Sequence, residues 1–241
     1  TDMTGLIFAA GRGTRLAPLT DTTPKAMVEV GDTPLLQHTA DRLIEAGCDR
    51  LIVNTAYLAD QVEDYVERKG DLGVETLLSF EPGGPYETGG GLLHARDLLP
   101  DAPYLIHNVD ILSEIDLSAL YAAHDPGCLA TLAVREATTE RYLLFDDIGL
   151  MGYAHDGGEK QVREPEGTLH RFDFCGIQVA SPGLIDTFEE TGTFSIMTSY
   201  LRLAKSGASV KPYHVGAAYW LDVGTHDRLE EAERYVSGQR G

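Results

Sequence analysis

Ala9-Ala10-Gly11-Arg12-Gly13-Thr14-Arg15-Leu16, continued by Thr23-Pro24-Lys25-Ala26-Met27, sets glycines and cations side by side. Glycine lets backbone N–H groups come close to a polyanion, and successive N–H groups can form an anion-binding concavity. Arg15 offers a planar fork and Lys25 a point charge for neutralising phosphate. Neither fragment is specific alone. Leu16 stands where a dinucleotide fingerprint needs its third glycine, and no Gly-Lys-Ser/Thr follows as in a Walker loop. The composite is far more specific than its parts, and the chemistry it suits is polyphosphate binding.

Two acids close apolar runs: Asp110 in Asn108-Val109-Asp110, and Asp222 in Trp220-Leu221-Asp222. Carboxylates at the carboxyl ends of parallel strands sit where open α/β sheets take ligands, and a pair of them beside phosphates suits Mg²⁺. Glu87-Thr88-Gly89-Gly90-Gly91 reads equally as a helix start and as a close backbone approach to a nucleobase or ribose, with Glu87 accepting from a base N–H. The histidines form no ligand-spaced pair, no Gly-x-Ser-x-Gly elbow is present, and three scattered cysteines read as core residues.

These residues need elements to hold them. GLIFAA (5–10), RLIVNT (50–55), VETLLSF (74–80) and PYLIHNVD (103–110) read as strands, separated by helical segments beginning near Thr33-Pro34, Leu58 and Gly90. Thr33 is expected to cap the first helix and Asp116 the segment LSALYAAH. Strands alternating with helices of roughly ten residues imply βαβ units and a mainly parallel sheet flanked by helices. After Val134 the pattern becomes antiparallel around Gly157-Gly158, followed by helices near Pro182–Glu190 and Ser195–Lys205, two strands, and a closing helix at His226–Val236. The expectation is one α/β domain over 1–241, with a nucleotide-binding half (1–134) and a mixed half (135–241) completing one sheet.

Nineteen Lys and Arg against 38 Asp and Glu give a net charge of −19, and only five of the cations are lysine. Such a body repels nucleic acid and anionic membrane surfaces, since phosphate binding needs clustered cations. The scattered acids read as a solvated surface, or as one suited to high salt. No apolar run reaches the roughly 18 to 20 residues of a membrane helix, and no secretory signal is apparent. The odd, dispersed cysteines fit a reducing cytoplasm.

AAGRGTRLAPLTDTTPKAMVEVGDTPLLQH (9–38) resembles the signature of the sugar-1-phosphate nucleotidyltransferases, a family with a Rossmann-like fold. ETGGG, Asn-x-Asp and WLDVGTHDRLEEAE follow in family order. The form is most similar to the uridylyltransferases of N-acetylmuramate 1-phosphate and to mannose-1-phosphate guanylyltransferase-like members. The resemblance implies that NTP and a sugar 1-phosphate give NDP-sugar and pyrophosphate. It implies Gly11, Gly13, Thr14 and Arg15 around the phosphates, with Arg15 on the leaving group and Lys25 at the α-phosphate. Ala9, Ala10, Glu87, Gly89, Gly90 and Asn108 would hold the nucleoside, and Gly176 would approach the sugar. Asp110 and Asp222 would hold Mg²⁺, with Arg15, Lys25 and Asp110 as the catalytic set. The chain would act as a cytoplasmic monomer or homodimer. No β-helix acyltransferase extension follows, so no second activity is expected.

The sequence departs from the family twice. Val109 stands where a glycine is common, and the family's Glu-Lys-Pro, whose lysine grips the sugar phosphate, is replaced by Arg163-Glu164-Pro165. Arg163 either substitutes for that lysine or belongs to a surface loop. Rival readings are guanylyl transfer to a mannose or heptose 1-phosphate, cytidylyl transfer to a phospho-alcohol such as phosphocholine, and a non-catalytic nucleotide-sugar sensor.

Overall fold

The computed structural model describes residues 3–239. The opening apolar run forms β1 (Thr4–Phe8), buried throughout because its side chains alternate between two covered faces, Ile7 to one core and Leu6 and Phe8 to the other. β2 (Glu29–Val30) and β3 (Thr33–Pro34) pair antiparallel about Gly31-Asp32, both at positive φ (60° and 63°) as a tight hairpin turn requires. Next come α1 (Leu35–Glu45), β4 (Arg50–Thr55), α2 (Ala59–Lys69), β5 (Glu75–Phe80), α3 (Glu87–His94) and β6 (Tyr104–Asn108). The chain continues through β7 (Ile111–Ser113), α4 (Leu117–Ala122), β8 (Ala130–Glu136), β9 (Leu143–Asp146), β10 (Gly149–His155), β11 (Gly158–Gln161) and β12 (His170–Ala180). It closes with α5 (Ile196–Lys205), β13 (Val210–His214), β14 (Trp220–Asp222) and α6 (His226–Gln239).

Ten strands form one sheet in the order β11-β10-β9-β12-β6-β1-β4-β5, with β8 also on β12 and β13 on β8. The block β6-β1-β4-β5 is parallel, so its carboxyl ends share one edge. β12 runs antiparallel to β6 and joins the second half of the chain to the first. α1, α2, α4 and α6 cover one face through Leu36, Val62, Leu120 and Ala232, while α3 and α5 cover the other through Leu92, Tyr200 and Leu203. Burying apolar side chains of this size stabilises the fold by roughly 1.5–3 kcal/mol each.

Four expectations shift. Thr33 does not cap α1: Pro34 occupies the cap position without a side-chain bond, and Thr33 is drawn into β3 opposite Val30. The helix expected to begin near Gly90 begins at Glu87, ends at His94 and is followed by a separate 3₁₀ turn at Arg96–Leu98. The segment after Pro182 is 3₁₀ and stops at Thr187. The strand expected to reach Asp110 ends at Asn108, and β7 then pairs antiparallel with β14, Ile111 facing Asp222. That last pairing builds the site.

Candidate active site

The carboxyl edge of the parallel block is held by buried polar side chains. After β1, the Ala9 N–H donates to Asn54 Oδ1 at the end of β4 (2.6 Å). Asn54 Nδ2 donates to Glu81 Oε1 (2.8 Å), and Glu81 Oε2 accepts the Tyr86 N–H (2.8 Å) just before α3. Burial pushes the Glu81 carboxyl up, against the Tyr86 and Asn54 hydrogen bonds that favour its charge. Three loops are thereby fixed relative to one another. Sequence reading missed Asn54 and Glu81; the available signal was a polar residue ending, or immediately following, each of two apolar strands.

In the glycine loop, Gly13 lies at φ +65°, and its carbonyl accepts from Thr20 Oγ1 (2.7 Å) and the Leu16 N–H (2.9 Å). Leu16 is fully buried and anchors the loop in the core, while Arg12 and Arg15 remain exposed. A β-carbon on Gly13 would lie 3.1 Å from Lys25 Cβ, so the loop folds directly over Lys25. Arg12 lies over the Tyr57 ring, 5.1 Å from its centroid.

Lys25 Nζ donates to Asp110 Oδ2 at 2.8 Å, both side chains only 16% exposed. The Val223 N–H donates to the Asp110 carbonyl (2.8 Å), which brings Asp222 alongside. Burial first, then the Asp110 charge, push the Asp222 carboxyl above the usual carboxylate range, partly offset by Lys25, Arg15 and Arg228. Asp222 Oδ1 is buried without a hydrogen-bond partner. A β-carbon on Gly224 would lie 2.7 Å from Arg15 Nη2 and 2.8 Å from that same Oδ1, so only glycine admits the guanidinium there. Two adjacent carboxylates, one with an unpaired oxygen, fit a hard divalent cation. Mg²⁺ is commonly held by one or two carboxylates and completed by water and phosphate oxygens, and no group of three metal-ligating side chains assembles among the described residues.

Asp110 lines one cavity together with Ala10, Gly11, Lys25, Glu87 and Asn108, all expected site residues, beside Asn54 and Thr88. Asp222 lines a second cavity of about 640 Å³ formed by β8, β10, β12, β14, α5 and the start of α6. Gly176 (φ +75°) sits at a bulge of β12, where a β-carbon would lie 2.9 Å from Asn108 Nδ2. Gly176 lines neither of the two cavities. Thr14 begins the 3₁₀ turn below the glycine loop and is exposed. His107 is buried on β6, where burial pulls its imidazole down to about 4.

Two expectations are corrected. Gly89 and Gly90 do not line the cavity expected to take a nucleoside: both are buried, and their amides donate to the Phe194 carbonyl (2.9 and 3.1 Å). A β-carbon would lie 2.3 Å from Phe194 Cε2 at Gly89 and 2.2 Å from the Gly192 carbonyl oxygen at Gly90, so these glycines let α3 dock on the 192–196 segment. Arg163 does not reach the site. Its guanidinium grips Asp146, whose side chain is wholly buried, through two bonds of 2.6 and 2.8 Å, and it lines neither cavity. This is a structural ion pair under the β9–β10 turn, neither a free grip nor a loose surface loop.

A parallel sheet edge carrying a glycine loop, a lysine and two converging carboxylates has the layout of α/β nucleotide-binding proteins. Comparison narrows it: residues 4–142 match the family model described as Nucleotidyl transferase, and the chain belongs to this family. N-acetylmuramate alpha-1-phosphate uridylyltransferase of Neisseria meningitidis serogroup B is 32% identical over 240 residues, covering 96% of this chain and 97% of its own. The enzyme of the same description from Caulobacter vibrioides is 34% identical over 229 residues, 91% and 90% of the two chains. Among solved structures, HddC from Yersinia pseudotuberculosis complexed with GMP-PN superposes with a TM-score of 0.77 at 21% identity, over 97% of this chain and 99% of that one. UDP-glucose pyrophosphorylase complexed with UDP-glucose gives 0.76 at 18% identity, over 99% and 100%.

Proposed function

We propose that this nucleotidyltransferase transfers a nucleotidyl group, with UTP as the preferred donor, to a hexose or amino-sugar 1-phosphate, releasing pyrophosphate. The observation that carries the reading is the meeting of Lys25, Asp110 and Asp222 where a cavity beside the glycine loop adjoins the larger cavity of the second half. The uridylyltransferases of N-acetylmuramate 1-phosphate, similar along nearly their whole length, support the choice of donor and acceptor class.

In this reading a phosphate oxygen of the acceptor attacks the α-phosphorus as the bond to the β-phosphate breaks, and the electron pair leaves with pyrophosphate. Catalysis of this kind is positioning and charge neutralisation. Lys25 meets charge growing at the α-phosphate, and Arg15, held over Gly224, meets the leaving group. Asp110 and Asp222 would hold Mg²⁺, which when bound would supply Lewis-acid charge to the reacting phosphates. The Ala9–Asn54–Glu81 chain keeps the nucleoside cavity in register, and Glu87 offers its carboxylate to the base.

The guanylyl reading has its own support in mannose-1-phosphate guanylyltransferase catalytic subunit beta of Drosophila melanogaster, 28% identical over 91% of this chain and 58% of that protein. Pyrophosphate release across a panel of the four NTPs and several sugar 1-phosphates, with and without Mg²⁺, decides between them. Fastest release with UTP is expected. Fastest release with GTP and mannose 1-phosphate would replace the uridylyl assignment, and nucleotide binding without release would make the chain a sensor.

A further inference from the structure

We infer that Arg135, standing over the Trp220 ring, is the cation that grips the phosphate of the acceptor, the task for which Arg163 is not free. The inference rests on the reaction proposed above and identifies the residue that recognises its second substrate.

Arg135 lies near the end of β8 and Trp220 begins β14. The guanidinium carbon stands 4.0 Å from the indole centroid, a cation–π distance that holds the arginine in place without consuming its N–H donors. Trp220 is itself fixed, its Nε1–H donating to the Cys175 carbonyl (2.8 Å) next to Gly176. Trp220 and Asp222 are two apart on one strand, so their side chains share a face, with Cα atoms about 6.6 Å apart.

The charges of the cavity single this arginine out. In a chain of net charge −19, most arginines near a carboxylate are paired. Arg141, on the same cavity wall, is held by Asp156 at 2.7 Å. Arg135 makes no ion pair among the described residues, and its Nε is buried with no hydrogen-bond partner. Asp173 lies opposite it in the β8–β12 register without forming an ion pair with it: Asp173 Oδ2 accepts from the Thr138 N–H (2.9 Å) and hydroxyl (2.8 Å), and Oδ1 is buried with no hydrogen-bond partner. A half-buried guanidinium in no ion pair, at the wall of a 640 Å³ cavity that also holds Asp222, suits a monophosphate brought in by the substrate. Arg228, exposed at the start of α6, lies on the same cavity without the aromatic support and serves as the comparison.

The test uses the full chain with Arg135→Met, Arg135→Lys and Arg228→Met. For Arg135→Met the KM for the sugar 1-phosphate should rise about 10- to 100-fold, the loss of one charge-assisted contact. The KM for the NTP should stay within twofold and Arg135→Lys should recover part of the loss. Calorimetric titration with α-glucose 1-phosphate gives a second readout, with affinity lost in Arg135→Met and kept in Arg228→Met. Unchanged acceptor KM and affinity in Arg135→Met, or the whole effect appearing in Arg228→Met, would overturn the assignment. Equal losses toward both substrates in Arg135→Met would mark Arg135 as structural and overturn it also. If the wild type turns over no sugar 1-phosphate, the reaction fails, and the titration alone then judges whether Arg135 binds a phosphomonoester.

Discussion

Replacing Lys25 by alanine should lower both turnover and metal-free stability while strengthening the stabilisation by metal. The ammonium lies 2.8 Å from Asp110 Oδ2 with little exposure on either side, and Asp222 adds a second carboxylate nearby. At that distance and an effective dielectric near 20 the bare attraction is about 6 kcal/mol. Rehydration of the separated groups offsets most of it, so the net cost of losing the bond is about 1.5–3 kcal/mol. For a chain of this length each kcal/mol moves the melting midpoint by about 2–4 °C, so metal-free Lys25→Ala should melt several degrees lower. Mg²⁺ should then stabilise the variant more than the wild type, because Lys25 no longer competes for Asp110. If Lys25 meets charge that grows only as the new bond forms, kcat should fall about 10²- to 10³-fold, while NTP affinity changes less than about tenfold. Pyrophosphate-release kinetics, calorimetric NTP titration and thermal melts with EDTA or Mg²⁺ measure all three. Wild-type turnover would refute the catalytic argument, and a loss confined to NTP binding would leave Lys25 a binding residue only.

Asp222→Asn should abolish turnover yet raise the melting midpoint in EDTA at neutral pH. Burial and Asp110 raise the Asp222 carboxyl in the folded state, so its ionisation opposes folding, and the advantage of the variant should vanish as pH falls below the unfolded carboxylate range near 4. Arg163→Ala should destabilise the chain by about 3–5 kcal/mol in urea titrations by leaving buried Asp146 unpaired, with the acceptor KM of the folded fraction unchanged. Although burial opposes it, the Arg163 bonds and backbone N–H groups hold Asp146 well below the usual carboxylate range; its stabilisation is present above pH about 4 and is lost in acid, so the difference between wild type and Arg163→Ala should shrink there. Gly90→Ala should cost about 1–3 kcal/mol or more by the same titration, because the new methyl meets the Gly192 backbone at 2.2 Å, and backbone yields less than a side chain.

Local residue order determined much of this molecule. β4 follows RLIVNT residue for residue, Asp116 caps α4 through the Ala119 N–H (2.9 Å), and Ser195 caps α5 through the Met197 N–H (3.3 Å), since periodicity and capping involve neighbours a few positions apart. The glycine loop and both aspartates were legible as chemistry for the same reason, since each ends a strand or follows one, and Lys25 because it stands in a fixed run shortly after that loop. Only the tertiary structure decided how they meet. Asp222 reaches Asp110 through the β7–β14 register, a pairing between segments about half the chain apart that leaves no local trace. Gly89 and Gly90 looked poised for a nucleoside, but their amides and missing β-carbons serve the 192–196 segment instead. The two arginines show the difference most plainly. Arg163 sits in the expected motif yet is held by buried Asp146, whereas Arg135, with no motif around it, stands unpaired over Trp220. A cation's availability depends on which carboxylates the fold places beside it, and that is a property of packing in space rather than of order along the chain.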